Sequence, residues 1–197
     1  MAENKIKYGL KNVHYAVATI ASNGSATYGT PAPLPGAVSL SLSPQGDNTP
    51  FYADNIVYWM GVSNTGYEGD LEIATIPESF KTDVLGYVKS DKLVLLENSN
   101  ASPVHFALMF QFEGDQKATR HVMYNCTAKR PDNAGNTKGE TIEPETETLN
   151  ITATSIFVSG LGADGMDIVK AESITSTDST TYSGWFSGVY VPSALTT

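Results

Sequence analysis

Between Phe106 and Phe112 every second residue is large and apolar: Phe106, Leu108, Phe110 and Phe112 fall on one side of an extended chain. After the turn-rich EGDQKA the alternation resumes. Val122, Tyr124, Cys126 and Ala128 share one face, with His121, Met123, Asn125 and Thr127 opposite. A period of two on both sides of a polar turn specifies an antiparallel hairpin. Side chains of this size specify burial, each contributing about 1.5–3 kcal/mol when fully covered. A lone hairpin cannot bury itself, so the rest of the chain must supply the cover.

It supplies mostly strands. Val13, Tyr15 and Val17 alternate with His14, Ala16 and Ala18, and in AVSLSLS the residues Val38, Leu40 and Leu42 face away from Ser39, Ser41 and Ser43. Leu71, Ile73 and Thr75 continue the pattern, which returns at Leu149, Ile151 and Ala153, around Ile168-Val169, and in YSGWFSGVYV. The period changes once, where Ile76, Phe80 and Val84 recur at i, i+4 and i+8 beside Leu85 and Val88. Pro77 suits a first helical turn, Glu78 complements the dipole and Gly86 fits the position after the last turn, so a helix is expected from Pro77 to Leu85 or just beyond. Only 17% of residues are charged, which suits short strands and polar turns better than a helical bundle. The expected fold is mainly β: two packed antiparallel sheets, as a sandwich or barrel, with one flanking α-helix. A single domain over residues 1–197 is expected, with flexible terminal arms and a mobile polar excursion in PDNAGNTKGETIEPETE.

One stretch does not fit a half-buried strand. FYADNIVYW places Phe51, Ala53, Val57 and Trp59 on one face and Tyr52, Ile56 and Tyr58 on the other. An ordinary antiparallel strand hides one face and wets the other. Either this segment is central, covered by the helix and a second sheet, or another copy of the chain covers it. LVLLE, at 93–97, is apolar on both faces and fits either reading. FYADNIVYW emerges directly from PQGDNTP, which reads as loop, and Asp54-Asn55 suits a hairpin tip; the interface reading is preferred there. The candidate interface residues are Phe51, Tyr52, Asp54, Asn55, Tyr58 and Trp59.

Chemistry is sparse. Gly160, Gly162 and Gly165 spell GxGxxG after Ile156, Phe157 and Val158, but a dinucleotide site needs a helix opening there. The chain continues instead as MDIVKAESITSTDS, short, β-branched and turn-rich, so a glycine hairpin turn is expected. His14, His105 and His121 stand at no metal-ligand spacing, and His14 and His121 fall opposite the apolar faces, as solvated or interface residues. GxSxG, HExxH and Walker patterns are absent. Asp164 with Asp167 and Glu143 with Glu145 sit in polar loops; a glycosidase pair assembled only by folding is a separate reading. Cys126 cannot form an internal disulfide and suits a buried thiol. The net charge of −9, without a basic run, opposes tight nucleic-acid binding. MAENKIKYGL has no apolar run and no segment reaches 18 consecutive apolar residues. No enzyme activity, cofactor, metal or membrane association is expected.

The order of KNVHYA, Gly36-Ala37, FYADN, GYEGDLEIA, PESF with Leu85-Gly86, Phe106 to Leu108, YNCTAKRP and the acidic PETETL resembles the major tail (tail tube) proteins of long non-contractile-tailed bacteriophages, the phi13-type family. These features span roughly residues 9–155. The resemblance implies a virion structural protein of two packed sheets and a flanking helix, made and assembled in the host cytoplasm. It implies a homo-oligomer of six-membered rings, each with a continuous inner β-barrel, stacked as a tube around a tape-measure protein. Tail terminator and initiator proteins are the further partners implied, and double-stranded DNA would transit without specific binding. The long loop that bridges rings in relatives corresponds here to about 43–58. Glu68, Asp70 and Glu72 are candidate lumen acids from their place on a strand, the other reading being a solvated outer surface. A carbohydrate-binding sandwich of a tail or baseplate, stacking sugars on Trp59 and Trp185, is the alternative function.

Overall fold

The computed structural model describes residues 3–137 and 144–195. The chain opens with β1 (Lys7–Ile20), two short strands, β2 (Ala26–Tyr28) and β3 (Ala32–Pro33), and then β4 (Ala37–Gln45). β5 (Asn48–Ala53) and β6 (Ile56–Val62) lead into β7 (Gly66–Ile73), helix α1 (Glu78–Asp83), β8 (Val88–Lys89) and β9 (Leu95–Leu96). The second half holds β10 (Phe106–Gly114), β11 (Thr119–Ala128) and β12 (Glu147–Thr154). It ends with β13 (Ile156–Val158), β14 (Met166–Ile168), β15 (Lys170–Glu172) and helix α2 (Ser179–Gly184).

Among the described residues, nine strands form one antiparallel sheet. Its main path runs β2-β1-β10-β11-β12-β7-β4, with β3 added to β1 and β15 to β11. The sheet curls until β4 approaches β1 without closing into a barrel. The mainly β expectation holds, and its two layers are opposing parts of this one curled sheet. The single flanking helix becomes two short helices among the described residues.

The concave side holds the main core. Tyr15, Leu71, Ile73, Phe106, Leu108, Leu149 and Ile151 meet Ile76, Phe80, Val84 and Leu85 from around α1. The Phe80 ring stands edge-on to Tyr15 at 5.0 Å and to Phe106 at 5.4 Å. The Tyr15 hydroxyl donates to the Asp83 carboxylate at 2.9 Å, pinning the last turn of α1 to the sheet. That turn ends early because Gly86 takes φ +75° and the Tyr87 N–H closes on the Lys81 carbonyl at 3.0 Å. Val88 therefore leaves the helical stripe on which it was expected and is exposed.

The convex side of β1, β10 and β11 is also covered. Ala16, Ala107, Met109, Val122 and Tyr124 pack against Ile156 and Trp185. YSGWFSGVYV, read as a strand, instead enters through α2. The Asp178 carboxylate accepts from the Thr181 N–H at 2.9 Å, a helix N-cap that outweighs the alternation downstream. Trp185 then donates its indole N–H to the His121 carbonyl at 3.3 Å.

Two bulges redirect side chains that strict alternation assigns elsewhere. Leu108 lies opposite Met123 while Phe106 lies opposite Cys126, so β11 carries one extra residue. Val122 and Tyr124 consequently face the convex cluster, whereas Cys126 and Ala128 join the concave core. The register shift between Ala37 and Ser39 similarly turns Ala37, Leu40 and Leu42 inward and leaves Val38 exposed. Cys126 is fully buried, and burial pushes its thiol up to about 12.

Candidate functional site

Pro44–Pro50 is mostly ladder rather than loop. β4 continues across Gly46 and Asp47 into β5, and β6 continues into β7, so the 43–58 segment is part of one long two-stranded arm. Pro44 and Pro50 are tolerated because they sit in strands with an unpaired edge, where a missing N–H costs no ladder bond. At the joint, the Ser63 N–H donates to the Asp47 carbonyl at 3.0 Å, and the Thr65 N–H to Gln45 at 2.9 Å. Gly66 is required here: its φ is +122°, and a β-carbon would collide with the Ala153 carbonyl.

The tip is a two-residue turn. Asp54 and Asn55 have φ of +51° and +63°, the left-handed pair that matches the twist of a hairpin. Phe51 lies opposite Trp59, Tyr52 opposite Val57 and Ala53 opposite Ile56. Six residues of β5 carry the ribbon about 20 Å along its axis. Both faces are exposed: Phe51 is 58% accessible, Tyr52 63%, Trp59 60% and Tyr58 70%, and Ile56, Val57, Met60 and Val62 are open too. All six candidate interface residues are thus brought together at or beside one tip. Among the described residues, β5 and β6 pair with each other and with no further strand.

A second surface lies on the outer side of β4, β7 and β12. Glu68, Asp70 and Glu72 point opposite the buried Leu71 and Ile73. On one side they align with Ser43, Ser41 and Ser39, and on the other with Thr152, Asn150 and Thr148. None of these nine positions is apolar or buried. Glu72 accepts from Thr146 at 2.7 Å and from Ser39 at 2.9 Å, and these hydrogen bonds hold its carboxyl below the usual range. Asp70 accepts from the Asn150 amide at 3.0 Å, and Glu68 meets Lys129 at 3.4 Å. From Asn12 to Phe80 the sequence contains no Lys or Arg, so β4 to β7 carry only negative charge.

The three histidines each contact a neighbouring side chain. Among the described residues, no group of three or more His, Cys, Asp or Glu is placed to hold a metal ion. His14 packs on Phe186 at 4.9 Å, and His105 meets the Asn125 side chain at 2.7 Å. His121, expected as a solvated or interface residue, is largely covered within its own chain: it stacks on Phe110 at 5.0 Å beside Phe112, and burial lowers its imidazole to about 4. Glycines 160, 162 and 165 lie between β13 and β14, where Gly162 and Gly165 take positive φ, as a hairpin turn requires. Glu143 lies outside the described residues. No helix among the described residues is long and apolar enough to cross a membrane.

Sequence reasoning missed the small β8-β9 hairpin as an exposed feature. LVLLE was equally compatible with a central strand, but Leu93, Val94 and Leu96 are all exposed. Its local signal was SDK, a polar turn just before the apolar run.

A family model described as phage tail tube protein matches residues 2–155. No curated protein matches the chain.

Proposed function

We propose, from the premise that this chain belongs to the phage tail tube protein family and is a structural component of the virion tail, that its copies close into hexameric rings which stack as the tube for DNA. The observation that carries this reading is the contrast between two surfaces. The arm exposes eight large apolar side chains on both faces, and fully covering each would contribute about 1.5–3 kcal/mol. Apolar exposure on that scale is a docking surface, and the cover we assign to it is the next copy. Contacts that close give rings, and contacts that do not close give filaments. A tube uses both.

The hydroxyl- and carboxylate-covered face of β4, β7 and β12 suits a lumen. DNA carries about one negative charge per 1.7 Å of axis. Glu68, Asp70 and Glu72 repel it over roughly 8 Å at physiological salt, and the Ser and Thr rows on both sides offer no cation to hold it. Lys129 offsets Glu68 in part. A tape-measure protein would occupy the tube before DNA, with terminator and initiator proteins at its ends.

Light scattering and negative-stain microscopy of the purified chain test the assembly. Rings or tubes are expected, whereas a strict monomer at high concentration counts against them. Phe51→Asp and Tyr58→Asp are expected to keep the parent circular dichroism and polymerise poorly. If both variants instead unfold, the arm is core. A monomeric sugar-binding module would show saturable glycan binding and no rings.

A further inference from the structure

We propose that the β8-β9 hairpin of one copy receives the β5-β6 arm of another, joining subunits head to tail along the direction of β7. This rests on the self-assembly reading and names the receiving surface that it leaves open.

Three observations point there. The first is position. The arm leaves β7 at its Gly66 end, while α1, β8 and β9 follow its Ile73 end. The small hairpin is held at that end by Arg130, which pairs with Glu97 at 2.8 Å and donates to the Asn98 carbonyl at 2.8 Å. Lys89 also pairs with Glu78 of α1 at 2.5 Å. One chain therefore presents apolar projections at opposite ends of a single strand, the arrangement that heterologous, repeating contacts need.

The second is surface chemistry. Of twenty exposed large apolar residues among the described residues, eight belong to the arm and four, Val88, Leu93, Val94 and Leu96, to the small hairpin. Leu93 is 83% accessible and held at φ +60°, a left-handed conformation that a leucine rarely adopts. Backbone strain and an uncovered leucine at one turn mark a built projection rather than a passive loop.

The third is charge. The arm carries Asp47 and, at its tip, Asp54, and has no cation. In the receiving segment Lys89 is paired with Glu78 and Glu97 with Arg130, and Lys92 stands beside Asp91 at the turn. The two tips thus offer Asp54 and Lys92, opposite charges on two exposed apolar bodies, which favours unlike over like pairing. A second arm would instead bring Asp54 to Asp54.

Mixing two disabled variants tests the proposal. Tyr58→Asp disables the arm and leaves the receiver, while Leu93→Asp disables the receiver and leaves the arm. Each alone should raise the concentration threshold for tubes at least about tenfold, with unchanged circular dichroism. Mixed, they should form pairs of subunits or of rings by light scattering and stop there. As a second readout, Asp54→Cys and Lys92→Cys chains should crosslink to each other on oxidation and not to themselves, the native Cys126 being buried. Tubes from Leu93→Asp at the parent threshold, no pairs on mixing, or an Asp54→Cys self-crosslink would each overturn the docking surface while leaving the tube reading intact. A parent chain that never assembles would overturn both.

Discussion

β10-β11 and β5-β6 are both antiparallel hairpins rich in aromatic side chains, yet Phe106 and Tyr124 are fully buried while Phe51 and Tyr58 lie open. Composition does not separate them. Neighbours do: β10 lies between β1 and β11 in the sheet, with α1 over one face and the α2 region over the other. Among the described residues, each strand of the arm pairs only with the other. Burial in this chain is therefore decided by where the sheet path places a hairpin, and the hairpin left off the path keeps its apolar surface exposed.

Thiol chemistry should expose this contrast most strongly. A Tyr58→Cys arm is expected to label at nearly the rate of a free thiol, whereas Cys126 waits for unfolding. With ordinary domain stability the rates should differ by at least about a thousandfold. Comparable rates would break the contrast. Next in size, Phe106→Ala should cost about 3–5 kcal/mol in urea unfolding, and Phe51→Ala in a monomeric sample no more than about 0.5 kcal/mol. Equal costs would mean that the arm packs on its own subunit.

The buried hairpin also carries a pH liability. Burial, the largest influence, lowers His121 from 6.5 to about 4; Glu172 opposes that shift, and Lys170 and Lys7 add to it. Because the folded state takes up this proton later than the unfolded chain, stability is full above about pH 6.5 and falls as pH drops towards 4. The slope should approach 1.4 kcal/mol per unit, on the order of 3 kcal/mol in all. Unfolding measured against His121→Gln isolates it, and parallel curves would refute the assignment. The most local effect belongs to the tip. Asn55→Ala should cost about 1–2 kcal/mol locally, seen as faster amide exchange from Phe51 to Tyr58 with no change in global unfolding.

How far the sequence shows this in advance depends on whether the cause is local. The Asp54-Asn55 turn, the α1 stripe of Ile76, Phe80 and Val84, and the glycine turn after Val158 are set by neighbours in the chain, and all three are legible. The bulges in β4 and β11 are not, because each is set by a distant partner strand; hence Val38, Cys126 and Ala128 turn to faces that alternation does not give them. His121 escaped for the same reason. α2 was available through its Asp178 cap but was masked by the alternating aromatics after it. For the candidate site, FYADNIVYW showed that two faces needed cover, which no pattern within one chain can assign to self or neighbour. The three acids could be set on one face of a strand, but their flanking rows of Ser, Thr and Asn required the pairing of β4 and β12 with β7.

Because, among the described residues, the arm's ladder closes only on itself, its length is independent of the body that carries it. Adding two residues to each of β5 and β6 would advance the tip by about 7 Å and keep every side chain on its present side; adding one to each would reverse them. A projection graduated in this way can be retuned to a different reach in discrete steps, with the enclosed half of the molecule left untouched.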